Sequence, residues 1–273
     1  MNTISAPEIA VLMPVYNPED ELKLTIESLR QQTMPFRLFL IDDGSKFQTD
    51  YESLTTGMDV KVIRLTKNLG ITAAMNAGLN EIIGGSFPYI ARIDCGDVCT
   101  PDRFAKQKDY LDHNPEIAIL GGACEFRDRN ERYELIGKRV VVFPLTREDS
   151  RRRLYSNSPV CHPAVFIRRQ VFESIGLYSD AYPAAEDYDL MWRASSAGFS
   201  ISNLSDLLLI KEVTPGSISV KRRRRQIYSR LRIQWANVNL ASLASLKGLL
   251  RTILIFIAPA QLVEALKRTL SGY

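Results

Sequence analysis

The stretch Tyr89-Ile90-Ala91-Arg92-Ile93-Asp94-Cys95-Gly96-Asp97-Val98-Cys99-Thr100-Pro101-Asp102-Arg103-Phe104 decides the fold. An apolar run of strand length breaks into an acidic turn. Pro101 and Asp102 then open a helix, because proline is preorganised for a first helical position and an acid there complements the helix dipole. Strand, turn, helix is the repeating unit of an α/β sheet, whose ligands lie beyond the carboxyl ends of the strands. Asp94 and Asp97 therefore stand where paired carboxylates can carry a hard cation against phosphate. The same turn also reads as a plain helix entry, since Asp and Gly are common turn residues. On the turn alone the two readings weigh equally.

Outward from that stretch the pattern repeats. Ile9 to Asn17, Phe36 to Ile41, Val60 to Leu65 and Phe87 to Ile93 are apolar runs, and the segments Glu19 to Gln32 and Gly70 to Ile83 between them have helical spacing. The alternation predicts an α/β fold with a mainly parallel sheet flanked by helices. In such a sheet Asn17, Asp42, Asp43, Asp94 and Asp97 fall on one edge. The edge is acidic and has no phosphate-cradling glycine loop. Neither GxGxxG after the first strand nor GxxxxGK[ST] anywhere is present, which disfavours a dinucleotide dehydrogenase or a P-loop kinase. An anion bound here needs a metal or a cation, for which Arg92 and Lys67 are available.

Composition agrees with a globular protein: of 273 residues, 45% are hydrophobic, 24% charged and 9% aromatic. The net charge of +4 is small, and much of the basic excess sits in Lys221 to Arg225. No nucleic-acid-binding signature accompanies that run, so no nucleic-acid partner is expected. Cys95, Cys99, Cys124 and Cys161 lack paired CxxC spacing, and only His113 and His162 could assist, so zinc is not expected and the thiols should be reduced. Met1 to Glu8 has no charged segment leading into an apolar one, so the expectation is a cytoplasmic protein without a signal peptide.

Val11-Leu12-Met13-Pro14-Val15-Tyr16-Asn17, Leu40-Ile41-Asp42-Asp43-Gly44-Ser45, Asn68-Leu69-Gly70-Ile71 with Ala77-Gly78-Leu79, Ile90 to Asp94, Thr100 to Phe104, His162-Pro163 and Ala185-Glu186-Asp187-Tyr188-Asp189-Leu190 occur in one order. Together they resemble a family 2 glycosyltransferase of the GT-A fold, of the kind used in bacterial surface polysaccharide or lipopolysaccharide assembly. The resemblance implies a nucleotide-diphosphate sugar donor, an inverting transfer, and a saccharide or lipid-linked acceptor. It implies that Pro14 and Tyr16 line the nucleotide pocket and that Asp43, with Asp42, contacts the base or ribose. It implies that Asp94 opens an acidic motif, usually Asp-x-Asp, that holds Mg²⁺ or Mn²⁺ against the diphosphate. The chain departs from that pattern: Gly96 takes the third position and Asp97 follows. Either Asp97 substitutes or Asp94 acts through water. A catalytically weakened nucleotide-sugar-binding or scaffold protein is the alternative that Gly96 leaves open.

The second half must supply the acceptor side. His162, before a proline, reads equally as a diphosphate contact and as a structural histidine bonded to backbone. Glu186 and Asp187 read as helix-capping acids on their own. The resemblance makes Asp187 the general base, with Glu186 its neighbour and Asp189 turned elsewhere. Arg127 to Lys138 and Ser179 to Ala185 read as variable loops. Residues 1–210 form the expected catalytic domain, and 211–273 a basic and apolar helical region. Its longest uncharged apolar piece, Thr252 to Val263, is too short to span a bilayer. Basic groups beside apolar helices predict peripheral association with the inner face of the plasma membrane. Packing on the core or a dimer contact is the other reading.

Overall fold

The structure is a computed structural model that describes residues 7–18, 20–215 and 222–258. β1 (Ile9–Val15) is buried at every position, as a strand covered on both faces must be. β2 (Phe36–Asp42), β3 (Val60–Arg64) and β4 (Tyr89–Arg92) extend it in parallel, in the order β3-β2-β1-β4. The crossovers are made by α1 (Glu21–Arg30), the single turn α2 (Tyr51–Leu54) and α3 (Ile71–Gly84). α3 can lie close to the sheet because of Gly78, where a Cβ would come within 2.4 Å of Leu12 and 2.6 Å of Ile41.

Beyond the acidic turn follow β5 (Val98–Cys99), α4 (Arg103–His113), β6 (Ile117–Arg129), β7 (Leu135–Val141), α5 (Arg147–Leu154), β8 (Phe166–Arg168), α6 (Arg169–Ile175), α7 (Glu186–Ser196) and β9 (Ser200–Val213). The complete sheet runs β3-β2-β1-β4-β8-β6-β9-β5, with β7 paired to β6. It is mixed: β8 is antiparallel to β4 and β6, whereas β6 and β9 are parallel. One core lies between the sheet, α1 and α4, and a second between the sheet, α3, α6 and α7. The result is a three-layer α/β/α sandwich.

Two expectations shift. Arg127 to Lys138 is the far end of the β6–β7 hairpin rather than a loop. Its charges pair across strands, Lys138 with Glu125 and Arg127 and Arg129 with Glu212, so a polar sequence forms sheet with both faces hydrated. The expected boundary at 210 falls inside β9, which continues unbroken to Val213. Of the C-terminal region, Arg223–Ala236 and Leu243–Ile257 are helices. Lys221, Pro259 to Val263, Lys267 and Arg268 lie outside the described residues. No helix among the described residues is long and apolar enough to cross a membrane. The two helices pack on the core beside α5 and α7. Gln234 Nε2 donates to the Tyr155 carbonyl at 2.9 Å, Ser229 Oγ to the Pro183 carbonyl at 2.8 Å, and Gly248 leaves no room for a Cβ against Tyr155.

Candidate functional site

The carboxyl ends of β1, β2 and β4 meet on one edge because these strands are parallel. After β1 the chain turns at Asn17, whose backbone is left-handed at φ 45°, a conformation asparagine tolerates. Asn17 and the β2 turn are tied together: Asn17 N–H donates to Ser45 Oγ at 2.8 Å, and Lys46 N–H to Asn17 Oδ1 at 2.8 Å. Asp42 is buried and accepts from Ser45 N–H. Asp43 is buried too, and its two oxygens receive Leu69 N–H at 2.7 Å and Gly70 N–H at 2.9 Å, which fixes the loop entering α3. Tyr16 projects from this edge, 44% exposed. Pro14 is buried in β1 opposite Ile41, one residue before the strand's end.

The acidic turn is held from α1. Buried Thr25 accepts from Gly96 N–H and donates to the Asp97 carbonyl, both at 2.9 Å. Gly96 has φ +95°, which a side chain at the third position of the motif would strain. Arg92, 4% exposed, donates Nη2 to Asp94 Oδ1 at 2.5 Å, while its Nε and Nη1 have no partner among the described residues. Lys211 Nζ, arriving on β9, stands 3.1 Å from Asp94 Oδ2 and 3.2 Å from Asp97 Oδ2. Burial opposes ionisation of Asp94, but Arg92 and Lys211 outweigh it and hold its carboxyl below the usual range. Burial and the neighbouring Asp94 push Asp97 upward, against the pull of Lys211.

Beneath this turn lies a residue that the sequence reading used only as part of a motif. Arg103 is fully buried and donates Nη2 to the Arg92 carbonyl at 2.8 Å and Nε to Gln107 at 3.1 Å. Gln107 in turn donates to the carbonyls of Ala164 and Leu120. The pair binds the end of β4 to the 3₁₀ turn His162–Ala164. His162 is buried, and its Nε2 lies 2.7 Å from the Tyr178 hydroxyl. Its partner is thus a side chain rather than the backbone. Burial and the Arg92 charge lower its pKa well below the usual histidine value, so it is neutral. Tyr178 is placed by Asn76 of α3, which both donates to and accepts from its backbone. It was missed because the signal is spatial.

Glu186 and Asp187 open α7, where the free N–H groups favour acids. Asp187 Oδ1 accepts from Tyr188 N–H at 2.8 Å, whereas Glu186 Oε2 has no partner. Burial, then Asp187, pushes Glu186 up to about 7. Burial also raises Asp187, moderated by the Tyr188 N–H and by Arg92 and Arg230. Arg92 therefore acts electrostatically on Asp94, His162, Glu186 and Asp187 alike, and of these it touches Asp94. Asp189 is taken by Arg193 at 2.8 Å. Arg230, on the C-terminal helix, lies over the Tyr188 ring at 5.8 Å.

Asp94 and Asp97 converge, but on an ammonium. Mg²⁺ and Mn²⁺ need near-octahedral oxygen donors, several of them anionic or water. Here Lys211 lies between the two carboxylates, and among the described residues no three His, Cys, Asp or Glu side chains gather. As arranged, the pair holds the Lys211 ammonium at the place where the motif predicts a divalent cation.

Comparison with known proteins places the chain. Residues 10–176 match the family model for glycosyl transferase family 2. The amylovoran biosynthesis glycosyltransferase AmsE of Erwinia amylovora is 31% identical over 85% of this chain and 85% of its own length. The UDP-Gal:α-D-GlcNAc-diphosphoundecaprenol β-1,3-galactosyltransferase of Escherichia coli is 27% identical over 74% of this chain and 73% of its own. Among solved structures, S. aureus TarS 1–349 in complex with UDP-GlcNAc superposes with a TM-score of 0.67 at 19% identity, over 91% of this chain and 73% of that one. The mannosyltransferase PcManGT of Pyrobaculum calidifontis, in complex with GDP-Man and Mn²⁺, gives 0.64 at 13% identity over 99% and 82%. The fold is that of the GT-A enzymes, and the chain is a glycosyltransferase that belongs to glycosyl transferase family 2.

Proposed function

We propose that the chain transfers a sugar from a nucleotide-diphosphate sugar to a hydroxyl of a saccharide or lipid-linked saccharide, with inversion at the anomeric carbon. The observation that carries this reading is Arg92: a buried guanidinium with unpartnered Nε and Nη1 at the edge where the parallel strands end, facing the carboxylates of α7. Such donors are costly unless a ligand's oxygens complete them. The donor's diphosphate supplies those oxygens. Tyr16 and the Asp42-Asp43 turn then lie toward the nucleoside.

In the reaction the acceptor oxygen bonds to the anomeric carbon from the face opposite the phosphate. The sugar–phosphate C–O bond breaks, and the nucleoside diphosphate leaves with the electron pair. The acceptor's proton passes to Asp187. Burial strengthens Asp187 as a base relative to an ordinary carboxylate. Neutral His162, held by Tyr178, keeps a polar contact beside the diphosphate without adding charge.

The lipid-linked part of the reading rests on the C-terminal helices. Leu243, Leu246, Leu250, Leu254 and Ile257 are exposed and recur at three- and four-residue intervals, which makes one stripe. Ser245, Gly248, Leu249 and Thr252 on the opposite side are buried against the core. Lys247 and Arg251, both exposed, flank the stripe. An apolar stripe edged with basic groups suits an anionic leaflet. Nearby, Tyr182, Leu231, Arg232, Trp235, Ala236 and Ile253 line a groove of about 550 Å³.

Two measurements test this. Asp187→Asn should bind a donor from a panel of UDP-, dTDP- and GDP-sugars as the wild type does, yet turn over at least ~10²-fold more slowly. Unchanged turnover removes Asp187 as the base. Vesicles containing phosphatidylglycerol should sediment the wild type but not Leu250→Asp/Leu254→Asp, and equal behaviour of the two refutes the membrane face.

A further inference from the structure

Resting on the transferase reading, we propose that Lys211, together with Arg92, takes the place of a divalent cation, so that the donor's diphosphate is held and its developing charge stabilised without metal. Lys211 Nζ touches Asp94 and Asp97 at once, at 3.1 and 3.2 Å. Its side chain is 23% exposed, enough to meet a ligand from the cleft. An ammonium has three N–H donors. Nζ meets three carboxylate oxygens, Asp94 Oδ2 at 3.1 Å and Asp97 Oδ2 and Oδ1 at 3.2 and 3.4 Å, and a phosphate oxygen takes the donor now on the longest of these contacts.

Charge balance makes the same point. Arg92 and Lys211 bring two positive charges to Asp94 and Asp97, which together bring at most two negative ones. The phosphate therefore meets a cluster without net negative charge, with fixed N–H donors supplied by Nε and Nη1 of Arg92. Preorganised donors of this kind stabilise charge that develops on a leaving group.

The backbone is built to keep Lys211 there. It lies opposite Phe126 in the β6–β9 ladder, and the next residue, Glu212, is clasped by Arg129 at 2.7 Å. Gly96 belongs to the same arrangement: at φ +95° the turn carries no third-position carboxylate that could compete for the ammonium or complete a metal shell. Lys211 thus acts as a phosphate-binding residue, and Asp94 and Asp97 act through it by fixing its head group.

The test is calorimetric titration of UDP, dTDP, GDP and their sugars into the full chain, in EDTA and again in Mn²⁺, for the wild type, Lys211→Ala and Lys211→Arg, with free Mn²⁺ followed by electron paramagnetic resonance. The expected result is that the wild type binds one nucleotide in EDTA, with an affinity that Mn²⁺ changes less than about threefold. It should take up no Mn²⁺ at this site. Lys211→Ala should lose at least about tenfold in EDTA, while Lys211→Arg, which keeps the charge, should retain most of the affinity. Lys211→Ala is also expected to gain Mn²⁺ uptake, because its two carboxylates are released. Wild-type binding that requires Mn²⁺, or Lys211→Ala that folds by circular dichroism and binds normally in EDTA, overturns the proposal and leaves the transferase reading standing. Failure to bind any nucleotide under either condition overturns both.

Discussion

Glu186→Gln should make the protein more stable at neutral pH, although it removes a native side chain. Glu186 is 9% exposed, its Oε2 has no partner, and burial with the adjoining Asp187 lifts it from 4.5 to about 7. The folded pKa lies above the unfolded one. Below about 4.5 both states hold the proton and the group contributes nothing to the balance. Between about 4.5 and 7 the unfolded chain releases its proton while the folded chain keeps it, so stability falls as pH rises. Above about 7 the penalty is complete. A gap of about 2.5 pH units corresponds to about 3 kcal/mol. Glutamine copies the neutral acid and does not titrate, so the variant's advantage should grow from near zero at pH 4.5 to as much as ~3 kcal/mol at pH 8. For a domain of this size that is roughly 6–12 °C in melting temperature. The assay is urea or thermal unfolding of both proteins at half-unit pH steps. A difference that stays flat across pH 4.5 to 8 refutes the reasoning, because then Glu186 carries no uncompensated charge.

Two further outcomes follow from packing. Arg103→Met roughly keeps the volume but takes the guanidinium donor from the Arg92 carbonyl and leaves the Val165 carbonyl with the Arg92 N–H alone, and should cost on the order of 3 kcal/mol by thermal unfolding; an unchanged melt would mean that Arg103 does not hold the end of β4. Gly44→Ala places a Cβ 2.3 Å from the Lys67 backbone at φ +67°, whereas Gly57→Ala, at φ +80°, meets nothing within 4 Å. Both carry the left-handed strain of ~1 kcal/mol, so the melting temperature of Gly44→Ala should drop well below that of Gly57→Ala, and equal drops would deny the close contact of the two turns.

The parallel half of the sheet was readable because β1, β2 and β4 are continuous apolar runs, and their ends carry Asn17, Asp42, Asp43 and Asp94 onto one edge by topology alone. The mixed half was harder. β8 has only three residues, too few for a periodic signal of its own, and the charged end of the β6–β7 hairpin owes its strand form to ion pairs between residues distant in sequence. Within the site, Arg92, Asp94 and Asp97 were found by their place after an apolar run. Lys211 was not, since a single lysine near the end of a long strand has no local signal, and only the β6–β9 register turns it toward the acidic turn. Tyr178 escaped for the same reason.

The unbroken course of β9 bears on how such a chain can be divided. A protein cut after residue 210 would lose the pairings of Lys211 with Phe126, Glu212 with Arg127 and Val213 with Asp128, and with them the ammonium at the acidic turn. The helices that follow then cover α5 and α7, the latter carrying Glu186 and Asp187. Catalytic core and C-terminal region are therefore not interchangeable modules. A chimera that grafts another tail onto this sheet would inherit the edge where β1, β2 and β4 end but would have to bring its own cation on the last strand.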